Sequence, residues 1–361
     1  MLVFIIDELN LKVNEMKRAR DTEEQILALA IEALKKNLPG QAQIATERVV
    51  RAGLRPDRML RITAQGREIK YYAETKTALT KAEPFLLRAG GYGELEHPLL
   101  LVARHVNPQM AEQLRQNGVE FIDAAGNAFI NQPPLYIFVK GNKPPEGLMP
   151  TPPKRIYRAA GLRIIYAFLC NTGLENRNYR EIAAAADVAL GAVGLLLREL
   201  KETGFLLDMG KRGHKLTQKE LLLQRWVAAY PEQLRPKQVI GCYRGEYGWW
   251  QNKRLDPVKA QWGGEVAAAR LTQYLQPEVI TIYTADRHIN ELLLENRLKK
   301  DPDGNIEVLE RFWIPGEVQQ NDDLVHPILV YADLMTTGNE RNLEAARMIH
   351  EQYIIRPIRE D

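Results

Sequence analysis

The stretch YREIAAAADVALGAVGLLLRELKETGFLL, residues 179–207, decides how the middle of this chain folds. Its apolar residues recur at helical spacing in two runs. The first puts Ile182, Ala183 and Ala186 inward, and the second puts Val193, Leu196, Leu197 and Leu200 inward. Asp187-Val188 forms a tight turn between them, and Gly204 suits a left-handed end to the second helix. Just upstream, RAAGLRIIYAFLC (158–170) reads as a helix with Leu162, Ile165, Tyr166 and Leu169 on one face. Just downstream, FLLD and HKLT read as short strands flanking the turn Met209-Gly210-Lys211-Arg212-Gly213. A helix, a helix-turn-helix and a two-stranded wing, in that order, make the winged helix-turn-helix pattern. In that pattern the second helix of the pair enters the major groove of DNA.

Charge supports this reading. Residues 151–220 hold twelve Lys/Arg against seven Asp/Glu, whereas the whole 361-residue chain is only +3. The positive excess therefore sits where phosphates would be met. Arg177 and Arg180 precede or open the first helix of the pair, and Lys211, Arg212, His214 and Lys215 lie on the wing; these are the expected phosphate contacts. On the second helix the expected DNA-facing residues are Ala192 and Arg198. Its opening residues, Ala189, Leu190, Gly191, Ala192 and Gly194, cannot make bidentate hydrogen bonds to base edges. Specificity would then come from apolar contact with thymine methyls, from the wing or from DNA shape. The competing reading of this segment is a protein-interaction or spacer module.

Working outward, residues 141–154, GNKPPEGLMPTPPK, contain five prolines and two glycines and read as a linker. The expected organisation is an α/β domain over 1–145, the winged helix over 155–220 and a C-terminal α/β domain over 222–361. The two cysteines, Cys170 and Cys242, form no metal-ligand spacing and no disulfide framework, which points to the cytoplasm. No run approaches the ~20 apolar residues that span a bilayer, so no membrane association is expected. In the N-terminal part, residues 22–37 read as an amphipathic helix with Ile26, Leu29, Ile31 and Leu34 near one stripe. Asp123-Ala-Ala-Gly-Asn127 interrupts a strand pattern and reads as a turn with Asp123 bonded to nearby amides. In the C-terminal part, Gly263-Gly264 reads as a closely packed helix start. Trp249, Trp250 and Trp262 read as core or interface residues, and Asp333 is placed to pair with Arg341 across TTGNE.

The segment RPDRMLRITAQGREIKYYAETK (55–76) carries the sharpest chemical signal. A type II′ turn at Gly66-Arg67 would set Gln65 opposite Glu68 and Asp57 opposite Lys76. Asp57, Glu74 and Lys76 would then share one face, and Leu60, Ile62, Ala64, Ile69, Tyr71 and Ala73 would pack on the core. Pro56-Asp57 followed by Glu74-Thr75-Lys76 resembles the PD-(D/E)XK nuclease signature. That resemblance implies a restriction-endonuclease-like fold, Mg²⁺ held by Asp57 and Glu74, and catalytic use of Asp57, Glu74 and Lys76 if the activity is retained. Without it, no cofactor is expected.

NPQMAEQLRQNGVEFIDAAGNAFI with the following LYIFVKG, the central helix-turn-helix, and VHPILVYADLMTTGNERNLEAARMIHEQYI together resemble AbiEi-type antitoxins of type IV toxin–antitoxin systems. The resemblance implies an abortive-infection antitoxin that represses its own operon through the winged helix, with double-stranded operator DNA as a partner. It also implies a functionally linked nucleotidyltransferase-like toxin encoded nearby. Better-known members begin with the winged helix, whereas here an α/β domain precedes it. The leading expectation is a non-enzymatic DNA-binding regulator and antitoxin. The alternative is a Mg²⁺-dependent DNA endonuclease targeted by its winged helix.

Overall fold

The computed structural model describes residues 23–38, 43–48, 58–76, 79–80, 87, 96–144, 154–246, 248–314 and 323–355. The chain divides into two compact units, Met1–Pro152 and Pro153–Asp361, and the division falls in the proline-rich stretch.

The first unit is built on a seven-stranded sheet in sequential order: β1 Gln43–Arg48, β2 Arg58–Ala64, β3 Arg67–Lys76, β4 Leu99–Ala103, β5 Glu120–Asp123, β6 Ala128–Gln132 and β7 Leu135–Val139. The three inner strands β3, β4 and β5 run parallel, and antiparallel strands flank them on both sides. Helix α1 (residues 23–35) covers one face and α2 (Pro108–Gln116) the other. Two-sided cover is why β4 reads LLLVA without polar alternation. On one face, Ile26, Leu27, Ala30 and Leu34 of α1 meet Leu60, Ile62, Ala64, Ile69, Tyr71 and Ala73 of the β2–β3 hairpin. The buried stripe of α1 thus runs through Leu27 and Ala30; Leu29, expected inside, is exposed. Met110, Ala111 and Leu114 of α2 close the opposite face over Leu101, Phe121 and Phe129.

The hairpin turn differs from expectation. Ala64 pairs with Arg67, and the central residues are Gln65 (φ 51°) and Gly66 (φ 75°). Two positive φ values make a type I′ turn, whose twist matches that of the flanking strands. Glu68 therefore faces Thr63 rather than Gln65. The pairing slides by two residues, an even number, so each side chain keeps its face and the expected core face is intact.

The second unit contains helices α3 (Ala159–Cys170), α4 (Tyr179–Ala185), α5 (Leu190–Glu202) and α6 (Lys219–Gln233). Between α5 and α6 lies a two-stranded ribbon, β8 (Leu206–Asp208) with β9 (His214–Leu216). A five-stranded sheet follows, in the order β11 (Ala260–Gly263), β12 (Ile280–Thr284), β14 (Ile306–Glu310), β10 (Val239–Arg244) and β13 (Lys299–Lys300). Only β12 and β14 are parallel neighbours. Helices α7 (Gly264–Thr272), α8 (Ile289–Glu295), α9 (Pro327–Met335) and α10 (Glu340–Ile349) complete the unit, with α7, α9 and α10 packed on one another.

Helix α3 is buried on nearly all sides: Leu162, Ile164, Ile165, Tyr166, Ala167 and Phe168 are all inside. It packs against α4 and α5 and also against α6. A 3₁₀ turn at Arg155–Tyr157 crosses it at Gly161, where a Cβ would lie 2.4 Å from the Ile156 backbone. Tyr166 stacks on Trp226 of α6 (centroids 5.4 Å, 25°), and Trp226 stacks on Tyr230 (5.0 Å, 20°). The Trp226 indole donates to the Leu162 carbonyl (2.8 Å). Phe312 and Trp313, which follow β14, pack on Tyr166, so the helical segment and the sheet share one aromatic core.

At the end of that core, fully buried Asp333 of α9 accepts from the Tyr283 hydroxyl (2.9 Å) and from the Tyr230 hydroxyl (3.1 Å). Arg235 lies 3.4 Å from Asp333 and donates to Glu307 at 2.7 Å. The expected Asp333–Arg341 pair does not form: Arg341 bonds Glu278 (2.8 Å) instead, because Asp333 is turned inward toward the tyrosines. Close packing at Gly263-Gly264 holds. A Cβ on Gly263 would strike the Tyr283 ring at 2.5 Å, and one on Gly264 (φ 46°) would lie 2.6 Å from Thr281 Oγ1. Trp262 is fully buried and Trp249 packs against it (5.6 Å), as expected of core residues.

Candidate nucleic-acid interface

The segment from Asn176 to Leu216 holds its shape through short-range polar contacts. Asn178 caps α4: its Oδ1 accepts from the amides of Arg180 and Glu181, each at 3.0 Å, satisfying donors that the first helical turn leaves open. The chain then turns through Asp187 at φ 49°. Arg163 of α3 clamps this turn, bonding both the Asp187 carbonyl (2.8 Å) and its carboxylate (2.6 Å). Helix α5 follows with no side-chain cap at Ala189. Its inner face is Val193, Leu196, Leu197 and Leu200, all buried as the spacing predicts. Its outer face presents Leu190 and Leu195, both about half exposed, together with Gly191 and Arg198. Ala192 is half-buried. Gly194 lies beneath the exposed Tyr179 ring, where an added Cβ would come within 3.4 Å.

The β8–β9 ribbon is braced from two sides. Asn176 Oδ1 accepts from the His214 amide (2.6 Å), and its Nδ2 donates to the His214 carbonyl (2.9 Å), so one side chain pairs with the ribbon as a strand would. Asp208 accepts from the Gly210 amide (2.9 Å) and from Lys201 of α5 (3.1 Å). These two contacts hold its carboxyl below the usual range. The turn closes through Met209 N to Gly213 O (2.7 Å), with Gly210 and Gly213 at positive φ. Lys211 and Arg212 stand at its tip.

The sequence-expected contacts thus separate into two groups. Arg180, Arg198, Lys211, Arg212 and Lys215 are exposed and, among the described residues, none has an acidic partner. Arg177 is exposed but lies 3.8 Å from Glu181. His214 is half-buried and directed toward Asp208 (3.8 Å), a bracing position inside the ribbon. Asn176, Asn178, Asp208 and Arg163 were not singled out from the sequence. The pattern Asn-Arg-Asn directly before a helix was the available signal for the caps.

In the first unit, Glu74 and Lys76 stand at the C-terminal end of β3, bonded to each other at 2.8 Å. Asp57 lies outside the described residues. A second carboxylate at this end of the parallel strands is Asp123 of β5, the register partner of Ala103. Its two oxygens accept from the amides of Val106 (2.7 Å), Ala125 (2.8 Å) and Asn127 (2.8 Å) and from the Asn127 side chain (2.7 Å). Burial pushes its carboxyl up while those donors pull it down. Asp123 is therefore a loop anchor with its lone pairs occupied. Among the described residues, no three His, Cys, Asp or Glu side chains group as metal ligands would. No described helix is long and apolar enough to cross a membrane.

Residues 215–355 match a family described as transcriptional regulator, AbiEi antitoxin of type IV toxin–antitoxin systems. The match runs from β9 to the end of the described chain and takes in the whole five-stranded sheet; helices α3 to α5 precede it. No curated protein and no solved structure matches the chain.

Proposed function

We propose that this protein is a DNA-binding transcriptional regulator and antitoxin of a type IV toxin–antitoxin system. Residues 155–220 would act as a winged helix-turn-helix, with α5 as the reading helix and the β8–β9 ribbon as the wing. One observation carries the reading. Five exposed cations without acidic partners among the described residues, Arg180, Arg198, Lys211, Arg212 and Lys215, lie on a helix pair and a braced ribbon whose inner faces are fully buried. Surface cations of an ordinary globular face are usually interleaved with acids, whereas phosphate contact favours unpaired ones. The match over 215–355 supports the regulator and antitoxin role from the other end of the unit. The outer face of α5, with Gly191, Leu195 and Arg198, suits apolar contact with thymine methyls beside one arginine contact. The expected partners are operator DNA and a nucleotidyltransferase-like toxin. For the seven-stranded unit, the antiparallel β1–β2–β3 run leading into parallel β4 and β5 supports a restriction-endonuclease-like reading of the fold alone. We assign it no nuclease role.

The test is electrophoretic mobility on DNA from upstream of the protein's own gene, titrated against salt. The protein should shift that DNA in preference to a scrambled duplex. Lys211→Ala with Arg212→Ala should weaken both duplexes alike and lower the salt slope by about one for each phosphate that is no longer neutralised. Arg198→Ala should narrow the preference between the two. Retention of full affinity in both variants would overturn the proposed surface. Co-expression with the neighbouring toxin gene tests the antitoxin role, and growth arrest that this protein fails to relieve would remove it.

A further inference from the structure

In the second unit, a cavity of about 210 Å³ opens beside the buried Asp333 network, lined by Arg235, Glu265, Thr281, Glu307, Asp333 and Thr336 among others. Three carboxylates face one guanidinium, and that guanidinium is already committed to Asp333 and Glu307. Two of the carboxylates are spoken for. Glu265 accepts from the amides of Glu278 (2.7 Å) and Val279 (3.2 Å) and from the Asn342 side chain (2.8 Å). Asp333 takes both tyrosine hydroxyls and Arg235.

Two groups remain. Glu307 gives one oxygen to Arg235 (2.7 Å), and its Oε1 accepts no hydrogen bond among the described residues. Thr281 is 3% exposed, yet its hydroxyl likewise makes no hydrogen bond among them. That oxygen is not one of the fully enclosed atoms, so the hydroxyl opens onto the cavity as an available donor and acceptor. The two residues are direct register partners on the parallel strands β12 and β14, so their side chains stand together on one face of the sheet, at the cavity wall. Val279 and Leu334 supply apolar wall beside them.

We propose that this cavity binds a small organic cation, an alkylammonium or guanidinium compound, with its charged head between Glu307 and Thr281 and its carbon chain along Val279 and Leu334. The carboxylate excess repels an anion. A divalent metal needs several oxygen ligands from one cluster, and no such group exists among the described residues. An alkylammonium has three donors and an apolar stem, which suits one free carboxylate oxygen, one hydroxyl and two aliphatic walls. The site is independent of the DNA-binding reading, because its residues lie outside 155–220.

Isothermal titration of the full chain tests it, with putrescine and agmatine as probes, butane-1,4-diol as the uncharged control of equal length and inorganic phosphate as the anion. Saturable binding of at least one amine is expected, with no heat from the diol or from phosphate. Glu307→Gln removes the charge and Thr281→Val the hydroxyl while keeping the shape. Removing a charge-assisted hydrogen bond predicts binding weaker by about tenfold or more for the first, and severalfold for the second. Thermal melts run alongside keep loss of binding distinct from loss of fold. Three results would overturn the assignment: no saturable binding of either amine, binding of phosphate in their place, or amine affinity unchanged in both folded variants.

Discussion

Replacing Trp226 with Ala probes how the second unit is held together. The indole is fully buried, stacked between Tyr166 and Tyr230, and donates to the Leu162 carbonyl. Truncating a buried tryptophan costs roughly 3–5 kcal/mol through forfeited transfer energy and the cavity left behind. The two stacked rings and the missing indole hydrogen bond keep this site off the lower end of that range, at about 4 kcal/mol. For a unit of this length that corresponds to a fall in Tm of roughly 8–16 °C. Because Trp226 stacks on Tyr166 and Tyr230, which in turn contact Phe312 and Trp313 just after β14, the whole of Pro153–Asp361 should lose stability as one transition. Urea unfolding followed by circular dichroism and by tryptophan fluorescence measures this, with Trp226→Phe as a milder variant expected at about half the effect. Two resolved transitions in this unit, or a loss under about 1 kcal/mol in the Ala variant, would refute the shared core.

Other outcomes follow from single sites. Burial pushes the His326 imidazole down from 6.5 to about 4, and its Nδ1 accepts from the Ile328 amide (3.2 Å) to cap α9. Above pH 6.5 both folded and unfolded chains keep it neutral. Between 6.5 and 4 only the unfolded chain takes up the proton, so stability falls across that window and flattens below it. Melts of His326→Asn, which can still cap, should lose this component of the slope; an unchanged slope would contradict it. Asp123→Ala strands the amides of Val106, Ala125 and Asn127, and should cost the first unit at least about 3 kcal/mol by chemical denaturation; a loss under about 1 kcal/mol would refute the anchor role. Gly264→Ala combines a left-handed φ with a 2.6 Å approach to Thr281 Oγ1, and should destabilise by roughly 2–3 kcal/mol; a neutral effect in the same assay would show that this helix start relaxes freely.

Much of the fold was legible in the chain itself. The inward faces of α4 and α5, the turn at Asp187, the ribbon around Gly210-Lys211-Arg212-Gly213 and the core face of the β2–β3 hairpin all follow from periodicity and turn chemistry, which act over a few residues. The Asp123 loop was readable for the same reason, since its partners lie within twenty positions. Tertiary structure decided what depended on distant partners. It slid the hairpin pairing by two residues, because the turn that closes it is chosen by backbone twist rather than by side-chain pattern. It turned His214 inward against Asp208 and left Arg180, Arg198, Lys211, Arg212 and Lys215 without acidic partners among the described residues, a distinction that residue type cannot make. It drew Asp333 away from Arg341, eight positions along, toward Tyr283, Tyr230 and Arg235, between 50 and 103 residues distant. A buried charge takes the partners that three-dimensional packing brings to it, and sequence separation carries no record of which those are.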